Sequence, residues 1–266
     1  MEAGCIIAEQ RGEIEILTLN RPEALNAVSP EMAEALGAYF AGLARRPDVR
    51  VVILRGEGRA FCAGADLSSA AFAPPGAGRA RRQMAMQTLY SAIPRLMRAA
   101  PQPIIALVQG AACGAGFSLA LAADVRIAGP QARMNAAYLR VGVGGCDMGS
   151  GYLLPRLVGL SLASELLLTG KFIDAARSLR SGLVSEVVPQ EELLAAGLAM
   201  AREMLLASPM GLRMTKETLN LAVDAPGLEV GLALEDRQQV LLLETADHVE
   251  AVAAFKERRP PRYGDG

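Results

Sequence analysis

The chain has 266 residues, 52% hydrophobic and 21% charged, with a formal net charge of −1. That length permits one or two domains with a large buried core, while the near-neutral charge and the absence of Trp argue against a protein that coats or stacks on nucleic acid. Mean hydropathy is positive, at +0.25, yet no uninterrupted apolar run approaches the roughly 18 residues that a membrane-spanning helix needs.

Met1 to Ile7 lacks the basic start and apolar run of a signal peptide, so a reducing cytoplasm is the expected location. Apolar residues alternate in Ile6 to Ala8 and again at Ile14, Ile16 and Leu19, on either side of Arg11-Gly12, which predicts a β-hairpin ended by Asn20-Arg21-Pro22. Ser29-Pro30-Glu31 is a helix start with a capping Ser and Pro at the first helical position. Met32, Ala35, Leu36, Tyr39, Phe40 and Leu43 then fall on one helical face. Val51 to Leu54, Ile104 to Val108 and Val125 to Ala128 are short continuous apolar runs, which suit buried parallel strands. Strand, loop and helix thus alternate, and the class is α/β. Ser68 to Gly78 carries Ser, Ala, Pro and Gly without a period and reads as a mobile loop. From Glu191 to Arg258 no strand signal appears. Helices are predicted at Leu193 to Leu206, Ser208 to Ala222, Leu228 to Leu243 and Asp247 to Phe255, with Pro209 and Pro226 at helix starts. The chain therefore divides into a core over residues 1–190 and a helical appendix over 191–266 suited to docking or assembly.

Four cysteines (Cys5, Cys62, Cys113, Cys146) stand far apart, and His248 is the single histidine. This argues against a metal site, a disulfide framework, or a Ser-His or Cys-His catalytic pair. Two glycine-rich segments follow strands: Gly58 to Leu67 after Val51 to Leu54, and Gln109 to Ser118 after Ile104 to Val108. Small residues let a ligand approach the backbone, and N–H groups at a helix start attract negative charge. Two such turns side by side could aim two N–H groups at one oxygen, an oxyanion hole; the plain alternative is a pair of tight strand-to-helix connections. Gly114-Ala115-Gly116 matches neither common phosphate-binding loop.

These segments resemble the crotonase, or enoyl-CoA hydratase/isomerase, superfamily, from about Ile14 to Tyr263. The matching pieces run Leu19 to Ala27, Ala60 to Leu67, Gln109 to Gly116, Leu168-Thr169-Gly170, Ser181 to Val184 and Ala254 to Pro261. The resemblance implies a spiral of ββα units with a helical C-terminal trimerisation region. It also implies an acyl-CoA substrate with no bound cofactor or metal, and homotrimers or hexamers built as pairs of trimers. It places the two oxyanion donors at the N–H groups of Ala65 and Ala115. It assigns CoA contacts to Glu23, Ala24 and Leu25, to Ala63, Asp66 and Leu67, and to Phe255 and Lys256, the last two often from a neighbouring subunit. Ordinary helix packing is the alternative for Phe255, and Arg21 is either structural or phosphate-facing.

The chain departs from the family pattern where hydration is done. A pair of carboxylates suits that reaction as general base and acid. At the family's two glutamate positions stand Ser118 and, by alignment through Asn135-Ala136-Ala137, Tyr138. One acid lies near, Asp147 in Gly144 to Ser150, a segment similar to one that carries an aspartate in dienoyl-CoA isomerases and to a stretch of dihydroxynaphthoyl-CoA synthases. Asp147 is either an acid/base or the cap of a helix starting near Met148. Ser118 and Tyr138 are then secondary donors, water holders or pocket lining. The readings that remain are an atypical hydratase or isomerase, another enolate-forming activity (dehydration, decarboxylation, C–C hydrolysis), a non-catalytic acyl-CoA-binding homologue, and a purely structural oligomer. Met84, Met86 and Leu89 line either an acyl pocket or the core.

Overall fold

Gly12, at φ +63°, turns the chain between strand β1 (Ile6–Arg11) and its antiparallel partner β2 (Ile14–Leu19). The computed structural model describes residues 4–68 and 78–264, so most of the segment read as a mobile loop lies outside the described residues. Helix α1 (Pro30–Gly42) begins as predicted, with the Ser29 hydroxyl accepting from the Met32 N–H. Strand β3 (Val51–Gly56) follows, then α2 (Arg79–Ala99), β4 (Ile104–Val108), β5 (Ala111–Cys113), α3 (Ala115–Ala122), β6 (Val125–Ala128) and β7 (Arg133–Asn135). The chain continues through α4 (Ser150–Val158), α5 (Leu160–Thr169), β8 (Ile173–Asp174), α6 (Ala175–Arg180) and β9 (Glu186–Val187). Four helices close it: α7 (Leu193–Met204), α8 (Pro209–Ala222), α9 (Leu228–Leu243) and α10 (Ala246–Glu257).

The strands form two sheets, one ordered β1-β2-β3-β4-β6-β9 and one ordered β5-β7-β8. All pairings in the larger sheet beyond the first hairpin are parallel. The chain lays one strand in the large sheet and the next in the small one, as β4 then β5 and β6 then β7, before moving on. Isolated parallel bridges at Val28–Ala65 and Cys62–Ala112 extend the small sheet's pairing toward the N-terminal half. This is the expected spiral of ββα units.

The continuous apolar strands are explained by two covered faces. Leu17, Leu19, Val52, Leu54, Ile104, Ala106 and Val108 enter the main core with α1, α2 and α3. Ile14, Ile16, Val51, Ile53, Ile105, Leu107 and Ile127 face the other way and pack under Leu193 and Ala201 of α7. Helix α3, buried at all eight positions, runs through the main core and fixes the turn that precedes it.

Candidate active site

The two glycine-rich turns meet at the mouth of one cleft. Gly64 has φ +116°, and a Cβ placed there would lie 3.1 Å from the Cys113 carbonyl oxygen and 3.9 Å from the Ala115 nitrogen. The first turn is thereby laid on the second. Gly114 precedes α3 with φ 50° and ψ −117°, a conformation open essentially to glycine alone. Neighbouring groups are spent on structure: Val28 N–H on the Gly64 carbonyl, Asp66 N–H on Val28, and Gly114 N–H on Asn135. Among the described residues, the N–H groups of Ala65 and Ala115 have no acceptor. Ala115 opens α3, where the first N–H groups lack helical partners and the helix dipole is positive. Two unpaired N–H groups at one mouth suit an oxygen that gains negative charge.

Asp147 lies across the cleft, half-buried. Its Oδ1 accepts from Gln87 Nε2 at 2.5 Å and from the Met148 N–H at 2.7 Å. Its carboxylate does not cap α4. That helix starts at Ser150 with Gly149 in the cap position and no side-chain bond. The Ser150 hydroxyl instead accepts from the Asp147 N–H at 3.0 Å. Met148 is buried with φ +47°. A left-handed non-glycine residue of this kind costs of the order of 1–3 kcal/mol and persists where its surroundings impose it.

Ser118 and Tyr138 come together behind the turn. Their hydroxyl oxygens are 2.5 Å apart. Ser118 Oγ also lies 3.0 Å from the Asp147 carbonyl oxygen and Tyr138 Oη 2.7 Å from the Gly114 carbonyl oxygen, so two hydroxyl protons serve three contacts. Whichever way the shared contact is protonated, both donors are spent inside this chain of bonds. Ser118 is fully buried and Tyr138 is 7% exposed. Burial pushes the phenol further above its ordinary range, so it stays neutral and protonated.

The cleft has a volume of about 400 Å³ and is lined by Ala65, Ala115, Tyr138 and Asp147, with Met86 and Tyr90 of α2 on the facing wall. Asp147 is its one carboxylate among the described residues. Met86 lines it and Leu89 packs against the core, while Met84 is 67% exposed. A larger cavity of about 650 Å³ lies between α2, α4 and α8. Of the cations that line it, Arg98 and Lys216 pair with Asp124, Arg156 with Asp224, and Arg126 donates to the carbonyls of Leu183, Ala120 and Ala123.

Of the proposed CoA contacts, Ala63 and Leu67 line the cleft. Glu23 and Ala24 sit in the turn after β2, and Leu25 follows with φ 53°. The Leu25 carbonyl accepts from the Ala63 N–H, which ties that turn to the cleft wall. Asp66 pairs with Arg21 at 2.8 Å, and Ser68 and Arg21 together hold its carboxyl below the usual range. Arg21 is thus engaged structurally. Phe255 and Lys256, on α10, lie outside the cleft lining, and Phe255 is 85% exposed, so it does not pack as a core residue of its own chain. His248 sits in the first turn of α10, its N–H bonded to the Thr245 hydroxyl. Among the described residues no three His, Cys, Asp or Glu side chains converge to hold a metal. Gln87 was not legible in the sequence. The signal available was Gln83, Gln87 and Tyr90 at helical spacing on one face of α2.

Comparison with known proteins bears on the family and the fold. The family model described as enoyl-CoA hydratase/isomerase matches residues 9–266. A Mycobacterium tuberculosis relative named "Probable enoyl-CoA hydratase EchA12" is 40% identical, over 98% of this chain and 92% of its own length. An Escherichia coli relative named 1,2-epoxyphenylacetyl-CoA isomerase is 33% identical, over 97% of both chains. The crystal structure of an enoyl-CoA hydratase from Bacillus anthracis superposes with a TM-score of 0.92 at 30% identity, covering 99% of this chain and all of the other (100%). That of an enoyl-CoA hydratase from Polaromonas gives 0.90 at 35% identity, covering 98% of this chain and 100% of the other. With its spiral fold, paired glycine turns and matched length, the chain belongs to the crotonase superfamily, as a member of its enoyl-CoA hydratase/isomerase family of enzymes.

Proposed function

We propose that this enzyme moves a double bond in an acyl-CoA thioester, with the thioester oxygen held by the N–H groups of Ala65 and Ala115 and the proton carried by Asp147. The observation that carries this reading is one carboxylate sharing a cleft with two unpaired N–H groups. An enolate puts negative charge on the thioester oxygen. A fixed donor aimed at that oxygen contributes about 2.7–4 kcal/mol to lowering the barrier. Asp147 takes a proton from C2 of a 3-enoyl thioester, and the C–H electron pair flows into the carbonyl to give a dienolate. The same carboxyl returns the proton to C4, and the double bond settles between C2 and C3. No water enters, and the carboxylate ends as it began.

Hydration needs a second acid/base group. At the positions where the family's hydratases carry glutamates, this chain offers two neutral hydroxyls already bonded to the wall. We read Ser118 and Tyr138 as a brace that joins the turn of Gly114 to the loop of Asp147. An atypical hydratase remains the second reading, favoured by the names of the relatives. The CoA moiety is placed along Glu23, Ala24, Leu25, Ala63, Asp66 and Leu67. Phe255 and Lys256 reach it from a neighbouring subunit of a homotrimer or hexamer assembled through residues 191–266, a reading supported by the exposure of Phe255.

The test is turnover of 3-hexenoyl-CoA and crotonyl-CoA, followed at the thioester-enone absorbance. Isomerisation exceeding hydration, and its loss by about 10²-fold or more in Asp147→Asn, is expected. Full activity in that variant removes Asp147 from the chemistry. Tight binding of CoA thioesters without turnover of either substrate identifies a non-catalytic homologue.

A further inference from the structure

The two oxygens of Asp147 are not equivalent. Oδ1 takes two hydrogen bonds, from the Gln87 amide 60 residues away and from the Met148 N–H. Oδ2 has no partner among the described residues and is not enclosed in the wall. Gln87 stands on the exposed surface of α2, four residues after Gln83, and both line the cleft. The Met148 bond is made from the adjacent residue and moves with the loop. The Gln87 bond is the one that fixes the carboxylate relative to a separate element.

We propose that Gln87 is a positioning residue, which clamps Asp147 through Oδ1 so that Oδ2 alone exchanges the proton with substrate. This rests on the assignment of Asp147 as proton carrier. A carboxylate free to rotate about its terminal torsion presents either oxygen in a broad range of directions. One fastened by two donors to a single oxygen presents the other in a fixed direction, which is what a proton transfer along one line requires. The amide accordingly acts on the chemical step and makes no direct use of the CoA moiety.

The experiment compares the full-length enzyme with Gln87→Leu, Gln87→Glu, Gln87→Lys and Asp147→Asn, with kcat and KM measured on 3-hexenoyl-CoA and folding checked by thermal melting. Leucine keeps the bulk and loses the donor. Glutamate keeps the shape, loses the donor and adds a like charge. Lysine restores a donor on a side chain long enough to reach. The expected result is a fall in kcat of about 10- to 100-fold for the Leu and Glu variants. KM should stay within about threefold, and the Lys variant should recover most of the lost kcat. A merely structural role would lower Tm, or move KM and kcat together, and would not separate Lys from Leu. Wild-type kcat in the Leu and Glu variants, with Asp147→Asn inactive, overturns the role of Gln87 and leaves that of Asp147 standing. Full activity in Asp147→Asn, or no turnover by the wild type, overturns both.

Discussion

Tyr138, at a position where the resemblance implies a carboxylate, is a buried phenol bonded to the cleft wall. Its hydroxyl joins the Gly114 carbonyl at 2.7 Å to Ser118, which in turn reaches the Asp147 backbone at 3.0 Å. Tyr138→Phe removes the link and leaves the ring. A typical net hydrogen bond is worth about 0.5–1.5 kcal/mol, so denaturant unfolding should show a loss of that size. Turnover should fall with little change in KM, because the brace orients groups and does not bind the CoA. The pH dependence has a definite sign. Burial raises the folded phenol above its ordinary value of 10.0. Its contribution is therefore complete below about pH 10 and declines as pH rises from there toward the folded value. Above pH 10 the wild type should lose stability more steeply than Tyr138→Phe. An equal slope in the two proteins would remove the phenol from that linkage. Ser118, Tyr138 and Asp147 were legible because they fall in or beside contiguous motif pieces. Gln87 was not, because nothing in the local pattern of an amide on an exposed helix face says that Asp147 lies opposite.

At the scale of elements, legibility followed local pattern: α2 and α5, with 21 and 10 residues, were given no bounds, whereas the four-residue β6 was. The hairpin, α1, β3, β4, β6 and the last four helices each have enough residues to show a period or a continuous run. Helices α7 to α10 fall almost where the apolar spacing put them, with Pro209 opening α8 as expected and α9 starting at Leu228, two residues after Pro226. Strands β5, β7, β8 and β9 have three, three, two and two residues, too few for any period. They exist because the spiral brings partners alongside, a tertiary cause that local patterning does not carry. The seam between α7 and the large sheet is testable in the same terms. Gly197 of α7 lies so close to Leu107 of β4 that an added Cβ would come within 2.8 Å of Leu107 Cδ2. Leu107 is 1% exposed. Leu107→Ala should therefore cost about 2–5 kcal/mol. Gly197→Ala should destabilise the wild type, yet recover stability when added to Leu107→Ala, because the new methyl enters the space vacated. Additive losses in the double-mutant cycle would mean that the two sites do not share that space.

The whole molecule leaves an imbalance that the single chain does not resolve. On α9 the one buried residue is Gln238, whose amide faces Thr218 and Glu217 of α8. Its apolar residues point outward: Leu228 is 75% exposed, Val240 59%, Leu241 54% and Leu243 53%, and Phe255 on α10 is 85% exposed. A helix that buries a single Gln in its own chain and leaves its Leu and Val side chains in solvent lacks the apolar stripe a monomer's surface helix turns inward. Exposed apolar side chains in this number are what an interface would cover, and each Leu or Val withdrawn from water contributes about 1.5–3 kcal/mol. Such a surface supports the proposed self-association, with α9 and α10 as its seat. In solution the chain should sediment as a trimer or a pair of trimers. Leu228→Glu with Leu241→Glu should shift it to smaller species with little loss of helical signal, because neither residue is buried in its own fold. If Phe255 and Lys256 complete a neighbour's CoA site, the same variant should raise KM for the acyl-CoA and leave proton exchange at C2 intact under saturating substrate. A variant that stays assembled would place the subunit interface elsewhere. One that dissociates with unchanged KM would return Phe255 and Lys256 to a role in assembly alone.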